Sequence, residues 1–321
     1  MCKTAVFFGE ELARYGFGES HPFNSNRIYA FWSKANVLGL VDSDQIQIET
    51  PTQADEETLL TFHDKDYLTL VKRASVLGSG LLDFGDTPAF KGVFEASSYV
   101  VGTTLKALDL VMNQANGILH AFNPIGGLHH ARRGSAGGFC VFNDIGIAGI
   151  VARQKYGVKR IAYIDIDAHH GDGVYYEFDN DPLFFIADLH EDGRYLFPGT
   201  GSESEVGIGG AKGTKINISM KPGSGDNEFI SKFGKVEEFI EKVARPELII
   251  FQCGADCIKG DPLTHLQYSS IAHKHAANIL HRLSHRYCDG RLIALGGGGY
   301  NLDNIANSWN EVVMSLMGNT S

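Results

Sequence analysis

The stretch Ile161-Ala162-Tyr163-Ile164-Asp165-Ile166-Asp167-Ala168-His169-His170-Gly171-Asp172-Gly173 joins a short apolar run to a dense group of ionisable residues. Ile161–Ile164 is too short for a buried helix and reads as a buried β-strand. Three carboxylates and two imidazoles therefore fall where a strand ends and a turn begins. Ionised carboxylates are costly to bury unless they are paired or bound to metal. Side chains alternate along a strand, so Asp165 and Asp167 are expected on one side with His169 close behind. Asp, Asp and His converging at a strand end is a donor set for a divalent cation.

Outward from this stretch the chain alternates. Apolar strands are expected at Ala5–Phe8, Leu183–Ala187, Lys215–Ser219, Leu248–Gln252 and Leu292–Leu295. Helical spacing appears from Asn26 (Ile28, Phe31, Trp32, Ala35), over Asp64–Ala74 and over Phe94–Met112. It recurs in Phe229–Val243 and Ile271–Leu283. Unbroken apolar strands between helices predict an α/β fold: one domain, residues 1–321, with a central, mostly parallel sheet covered on both faces. In such a sheet ligands bind beyond the carboxyl ends of the strands. The unusual residues follow the strands: Asp165–Asp172, Asp188-Leu189-His190, Gly254-Ala255-Asp256 and Gly296–Tyr300. Gly126-Gly127-Leu128-His129-His130 follows the short apolar stretch near Ile125, and a Gly/Asp-rich loop carrying Asp83, Asp86 and Thr87 spans Gly78–Pro88.

Composition narrows the function classes. A chain of 321 residues with 43% hydrophobic and 21% charged residues supports one large core. Its net charge of −10 argues against direct nucleic-acid binding and is compatible with a basic protein or peptide as substrate. Five cysteines (Cys2, Cys140, Cys253, Cys257, Cys288) are irregularly spaced and make no disulfide framework, which points to a reducing compartment. Cys253 and Cys257 read as small buried residues. The apolar run after Met1–Thr4 is too short for a secretion signal, and no run reaches membrane-spanning length, so a cytoplasmic protein is expected.

Asp167 and His169 supply two donors of a three-ligand site, and Asp256 is the best-placed third. Singly, Asp167 and Asp256 also read as helix caps; with His169 they read as a metal set. Two oxygens and an imidazole suit Zn²⁺, and the ligand types also admit Fe²⁺, Co²⁺ or Mn²⁺. The doublet His129-His130 differs from isolated histidines because Asp165 and Asp172 are free to orient its rings. His63, His120, His273 and His281 read as ordinary polar residues, and His170 as structural. Four glycines before Tyr300 suggest a flexible backbone carrying a phenol into a site, where it can donate to an oxyanion; a glycine turn before a packed tyrosine is the alternative.

These motifs resemble the histone deacetylase family of the arginase–deacetylase fold. The match runs through Gly126–Ala131, Gly138-Phe139-Cys140 with Asn143-Asp144, Asp165–Gly173, Phe197–Gly201, Gly254–Asp256 and Gly296–Tyr300. The resemblance implies zinc ligands Asp167, His169 and Asp256. It implies His130 as general base and acid, oriented by Asp172, and His129 paired with Asp165. Tyr300 would polarise the acetyl carbonyl. Gly138, Phe139 and Phe197 match the family's acyl-lysine tunnel, and Asp86 its rim aspartate. A structural K⁺ is implied at Asp165, Asp167, His169, Asp188 and Leu189.

The expected reaction is hydrolysis of acetyl-lysine in proteins or peptides, with acetylpolyamines or longer acyl-lysines as alternative substrates and a non-catalytic acyl-lysine binder as the distant one. Leu263 stands where polyamine-specific relatives have an acidic gatekeeper. Asp172 falls one residue late for the arginase two-metal pattern. Gly171-Asp172-Gly173 resembles class I and prokaryotic acetoin-utilisation relatives, whereas Arg132-Arg133-Gly134-Ser135 is unlike class I. A stand-alone prokaryotic member without a regulatory tail is expected. Arg27 sits where an acetate path is conceivable.

Overall fold

A computed structural model describes residues 3–83 and 85–318. Eight strands form one sheet: β1 (Lys3–Phe7), β2 (Ile46–Glu49), β3 (Ile118–Asn123), β4 (Ile161–Asp165), β5 (Phe184–Glu191), β6 (Lys215–Met220), β7 (Leu248–Gln252) and β8 (Leu292–Leu295). Their order is β2-β1-β3-β8-β7-β4-β5-β6. Every pairing between them is parallel.

Strand β4 shows why its sequence is apolar throughout. Ile161 and Tyr163 face the cluster beneath the helices Val93–Asn113 and Asp144–Tyr156, with Val101, Ile147, Ile250 and Ile293. Ala162 and Ile164 face the opposite cluster, with Phe233, Leu280 and Trp309 from the helices Asp226–Phe239, Ser270–Tyr287 and Leu302–Leu316. Both faces are dry, so the period of two survives only as a choice of which core each residue enters.

Several boundaries differ from expectation. Asp165 is the last residue of β4 rather than the first of the turn, level with Asp188 on β5 and Gln252 on β7. Strand β5 runs on through Asp188, Leu189 and His190, because β6 pairs with it as far as Glu191. The helix expected to continue to Val243 ends as a turn of π-helix over Ile240–Ala244. The helix Asp144–Tyr156 carries no amphipathic stripe because nearly its whole first half is buried, and Gly146 and Gly149 are required there by close rings. A methyl on Gly146 would lie 2.3 Å from Phe62, and one on Gly149 2.6 Å from Phe184. The cysteines Cys140, Cys253, Cys257 and Cys288 are buried free thiols, and Cys2 lies outside the described residues. No helix among the described residues is long and apolar enough to cross a membrane.

His63 is more than an ordinary polar residue. Its Nε2 accepts the Asn143 amide at 2.9 Å, which fixes the tautomer, and Nδ1–H donates to the Arg133 carbonyl at 3.2 Å. Asn143 in turn caps the helix Asp144–Tyr156 and donates to Ala131 at 2.8 Å. A buried imidazole thus ties the His129-His130 loop to a helix start. Burial drives its pKa down to about 4, against the pull of the Arg133 and Arg132 carbonyls. Between pH 6.5 and 4 the unfolded chain takes up a proton at this ring that the folded chain refuses. Stability therefore falls with pH through that window, by up to about 3 kcal/mol from this group. His63→Gln keeps an acceptor without the titration. Its urea-unfolding free energy should decline less steeply from pH 6.5 to 4 than the wild type's, and equal slopes would remove His63 from this role.

Candidate active site

The carboxyl ends of β3, β4, β7 and β8 meet around one cleft, and local turn chemistry sets each side chain. Asp165 Oδ1 accepts the Asp167 amide at 3.0 Å, and Asp167 Oδ1 accepts the His169 amide at 3.0 Å. Two successive Asx turns, rather than continued strand alternation, therefore place Asp167 and His169. His129 Nδ1 lies 2.7 Å from Asp165 Oδ2, which Tyr163 also reaches through its hydroxyl. His130 Nδ1 lies 2.7 Å from Asp172 Oδ1, and the second oxygen of Asp172 accepts Arg132 Nη2 at 2.6 Å. The two rings sit 4.1 Å apart, centroid to centroid.

The loop carrying these histidines is held from below by Asp144. Its carboxylate accepts the amides of Gly127 and Leu128 and the Thr104 hydroxyl, the latter at 2.7 Å. Asp144 and Tyr163 escaped sequence reading as site supports. A tyrosine inside an apolar run and an acid at a helix start both have ordinary explanations.

Asp167, His169 and Asp256 converge. His169 Nδ1 stands 3.0 Å from Asp167 Oδ1 and 3.0 Å from Asp256 Oδ2, and all three residues are buried. Each acid spends its other oxygen on the protein: Asp167 Oδ2 accepts Gln252 Nε2 and the Gly298 amide, both at 2.8 Å, and Asp256 Oδ1 accepts the Ala168 amide at 2.9 Å. Three donor atoms are left facing one point.

Close backbone approach explains the glycines here. A methyl on Gly298 would lie 2.3 Å from Asp256 Oδ2, and one on Gly296 2.0 Å from the Pro124 carbonyl. The Gly296–Gly299 segment is thus pinned rather than flexible: the Gly296 and Gly297 amides donate to the carbonyls of Asn123 and Gly126, and the buried Arg27 guanidinium donates to the carbonyls of Gly297 and Gly299. Arg27 lies 3.8 Å over the Phe23 ring, and its Nη1 is buried without a partner. Tyr300 is fixed by its own amide, which donates to Asp261 at 2.8 Å, and its ring lies 5.8 Å from Phe139. Tyr300 lines the inner cleft with His129, His130, Gly138, Asp167 and His169.

An outer cavity of about 530 Å³ opens above His130, lined by Asp83, Asp86, Arg132, Asp172 and Phe197. Phe197 is half-exposed, 5.0 Å from the His130 ring. Phe139 lies on the Tyr300 side, its amide donating to Thr87 of the Asp83–Thr87 turn. Burial and the neighbouring Asp83 raise the Asp86 carboxyl to about 6. Leu263 is partly exposed, its amide held by the same Asp261 that fixes Tyr300. His170 turns away to Thr200 at 2.8 Å. Asp188, fully buried and level with Asp165, accepts the Gly171 amide and pairs with His190 at 2.7 Å, while Leu189 beside it enters the core.

The electrostatics ask for a cation. Asp165, Asp167, Asp188 and Asp256 are all within 1% of full burial. Burial, with Asp167 close by, lifts Asp256 to about 7, and burial with the charge of Asp188 lifts Asp165 to about 7. Burial opposes charge on His169, yet the two acids beside it hold its pKa well above the ordinary value. The same pair of acids that favours a proton on this ring would favour a metal ion there. A dication facing two carboxylates and one Nδ1 removes this surplus negative charge, so the residues present fit a divalent site.

Comparison with known proteins agrees with this geometry. Residues 21–316 match the histone deacetylase domain. The chain is 39% identical to the acetoin utilization protein AcuC of Bacillus subtilis strain 168, covering 99% of this chain and 83% of that one. It is 32% identical to AcuC of Staphylococcus aureus strain MRSA252, over 99% and 82% of the two chains. Among solved structures it is similar to a histone deacetylase homologue from Aquifex aeolicus, at TM-score 0.87 and 31% identity over 98% of this chain and 84% of that one. It also superposes on the HD domain of HDA15 at TM-score 0.90 and 26% identity, over 99% and 89%. The chain belongs to the histone deacetylase family.

Proposed function

We propose that residues 1–321 form a single zinc-dependent lysine deacetylase domain acting in the cytoplasm on acetylated proteins or peptides. The observation that carries this reading is the convergence of two carboxylate-backed histidines, a three-donor metal set and a phenol on one narrow cleft. Zn²⁺, or Fe²⁺ in its place, would be held by Asp167, His169 and Asp256, and when bound it would polarise the amide carbonyl and acidify water.

The chain's own groups supply the rest. Asp172 accepts Nδ1–H of His130, which leaves Nε2 as a free base facing the cleft. Burial and the charge on His129 bring His130 down to about 4, so it is neutral at pH 7 and able to take the proton of the attacking water. His129, whose own burial is outweighed by Asp165 and Asp167, is lifted to about 9 and contributes positive charge. Water oxygen bonds to the acetyl carbon, the carbon–nitrogen bond breaks, and His130 returns the proton to the departing lysine amine. The Tyr300 phenol, held protonated by burial and by Asp256 and Asp167, donates to the oxyanion. Phe197, Phe139 and Gly138 would enclose the lysine methylenes, Asp86 would hold the substrate backbone at the rim, and K⁺ would sit at Asp165, Asp167, His169, Asp188 and Leu189.

The uncharged, partly exposed Leu263, in place of the acidic gatekeeper of polyamine-specific relatives, disfavours a polycationic acetylpolyamine and favours acyl-lysine. Turnover of acetyl-lysine peptide, longer acyl-lysine peptide and acetylpolyamine by zinc-loaded protein tests this directly; a preference for acetylpolyamine would overturn the substrate assignment. Tyr300→Phe should keep its metal and lose about 100-fold or more in kcat on acetyl-lysine peptide; unchanged turnover would remove the oxyanion role. Gly138 has φ +51°, and a methyl there would lie 2.3 Å from His130 Cδ2. Gly138→Ala should therefore displace the base and cost about 100-fold in kcat while metal content stays constant; wild-type kcat would show that the ring tolerates the shift.

A further inference from the structure

Three histidines far from the active site also converge. His120 is the third residue of β3, level with Leu292 at the start of β8, so it lies toward the end of the sheet opposite the catalytic cleft. His281 and His285 are one turn apart on the helix Ser270–Tyr287, on the face that meets it. Two imidazoles at positions i and i+4 of one helix can bind the same ion. One nitrogen of each of the three lies within 4.8 Å of the others.

The rings are tilted to one another by 58°, 83° and 60°, so they converge by edges rather than stacking. His120 Nε2 and His285 Nε2 stand 3.3 Å apart. That spacing matches the edge of a tetrahedron around Zn²⁺, about 3.3–3.4 Å for bonds of about 2.0–2.1 Å. A single N–H···N hydrogen bond accounts for that pair alone. It leaves the third ring, His281, unaccounted for, with its Nδ1 unpartnered. His120 is buried, His281 half-buried and His285 exposed, so the cluster is open on one side for a water ligand.

We propose that His120, His281 and His285 form a second metal site, taking a borderline divalent ion such as Zn²⁺ with three imidazoles and one solvent position. Three neutral nitrogens suit Zn²⁺, Co²⁺ or Ni²⁺ and discriminate against Mg²⁺ and Ca²⁺, which prefer oxygen. The site stands independently of the catalytic assignment.

The test is zinc per chain by mass spectrometry on untagged full-length protein dialysed against micromolar Zn²⁺. Wild type should hold one equivalent more than His285→Gln, whose exposed side chain leaves folding intact. His281→Gln should show the same deficit, and both variants should retain wild-type acetyl-lysine turnover. Co²⁺ added to zinc-free wild type should give a visible tetrahedral absorption component that both variants lack. Equal metal content in wild type and both variants, or a cobalt spectrum unaltered by either substitution, would overturn the site.

Discussion

Buried negative charge at the carboxyl end of the sheet is the constraint on which the rest of this molecule depends. Asp165, Asp167, Asp188 and Asp256 have almost no contact with water. Left unpaired, such groups would destabilise the fold severely. The protein answers with three imidazoles, His129, His169 and His190, and with amides from Asp167, Ala168, Gly171 and Gly298. Burial still leaves Asp165 and Asp256 with raised pKa values, a surplus of negative charge that a bound cation would relieve. Stability and function here rest on the same electrostatic need.

That need also explains the glycines and the histidine pair. Backbone must approach the carboxylates directly, which admits no side chain at Gly254 or Gly298. The doublet His129-His130 divides by environment: one ring faces Asp165 and Asp167 and stays charged, and the other faces Asp172 and stays neutral. Arg132 sharpens the division by taking the second oxygen of Asp172. The Asp172 carboxyl is accordingly held well below the usual range, with its burial outweighed by His130 and Arg132. The Arg132-Arg133-Gly134-Ser135 stretch thereby reaches the site through the Arg132–Asp172 ion pair.

Much of this was legible from residues alone, for identifiable reasons. Strands β7 and β8 have sharp ends because apolar runs stop at glycine-rich turns. Asp188 was expected beyond its strand, since a charge normally ends an apolar run; inside, it is tolerated because Gly171 and His190 satisfy it. The helix Asp144–Tyr156 hid because burial on nearly all sides erases the helical period. Tyr163 looked like packing, and His120 and His281 looked unremarkable, because long-range convergence leaves no local pattern. The candidate site motifs stand out where ionisable groups sit within one turn of each other, as in Asp165–Asp172.

On the proposed reading, Asp167, Asp256 and His169 hold one divalent ion on which deacetylation depends. The direct measurement compares wild type with Asp256→Asn, in metal-defined protein, for zinc per chain and acetate released from an acetyl-lysine peptide. Asp256→Asn should lower zinc by one equivalent and abolish acetate release, and a chelator should do the same to the wild type. Full zinc content in Asp256→Asn, or undiminished acetate release after chelation, would contradict it.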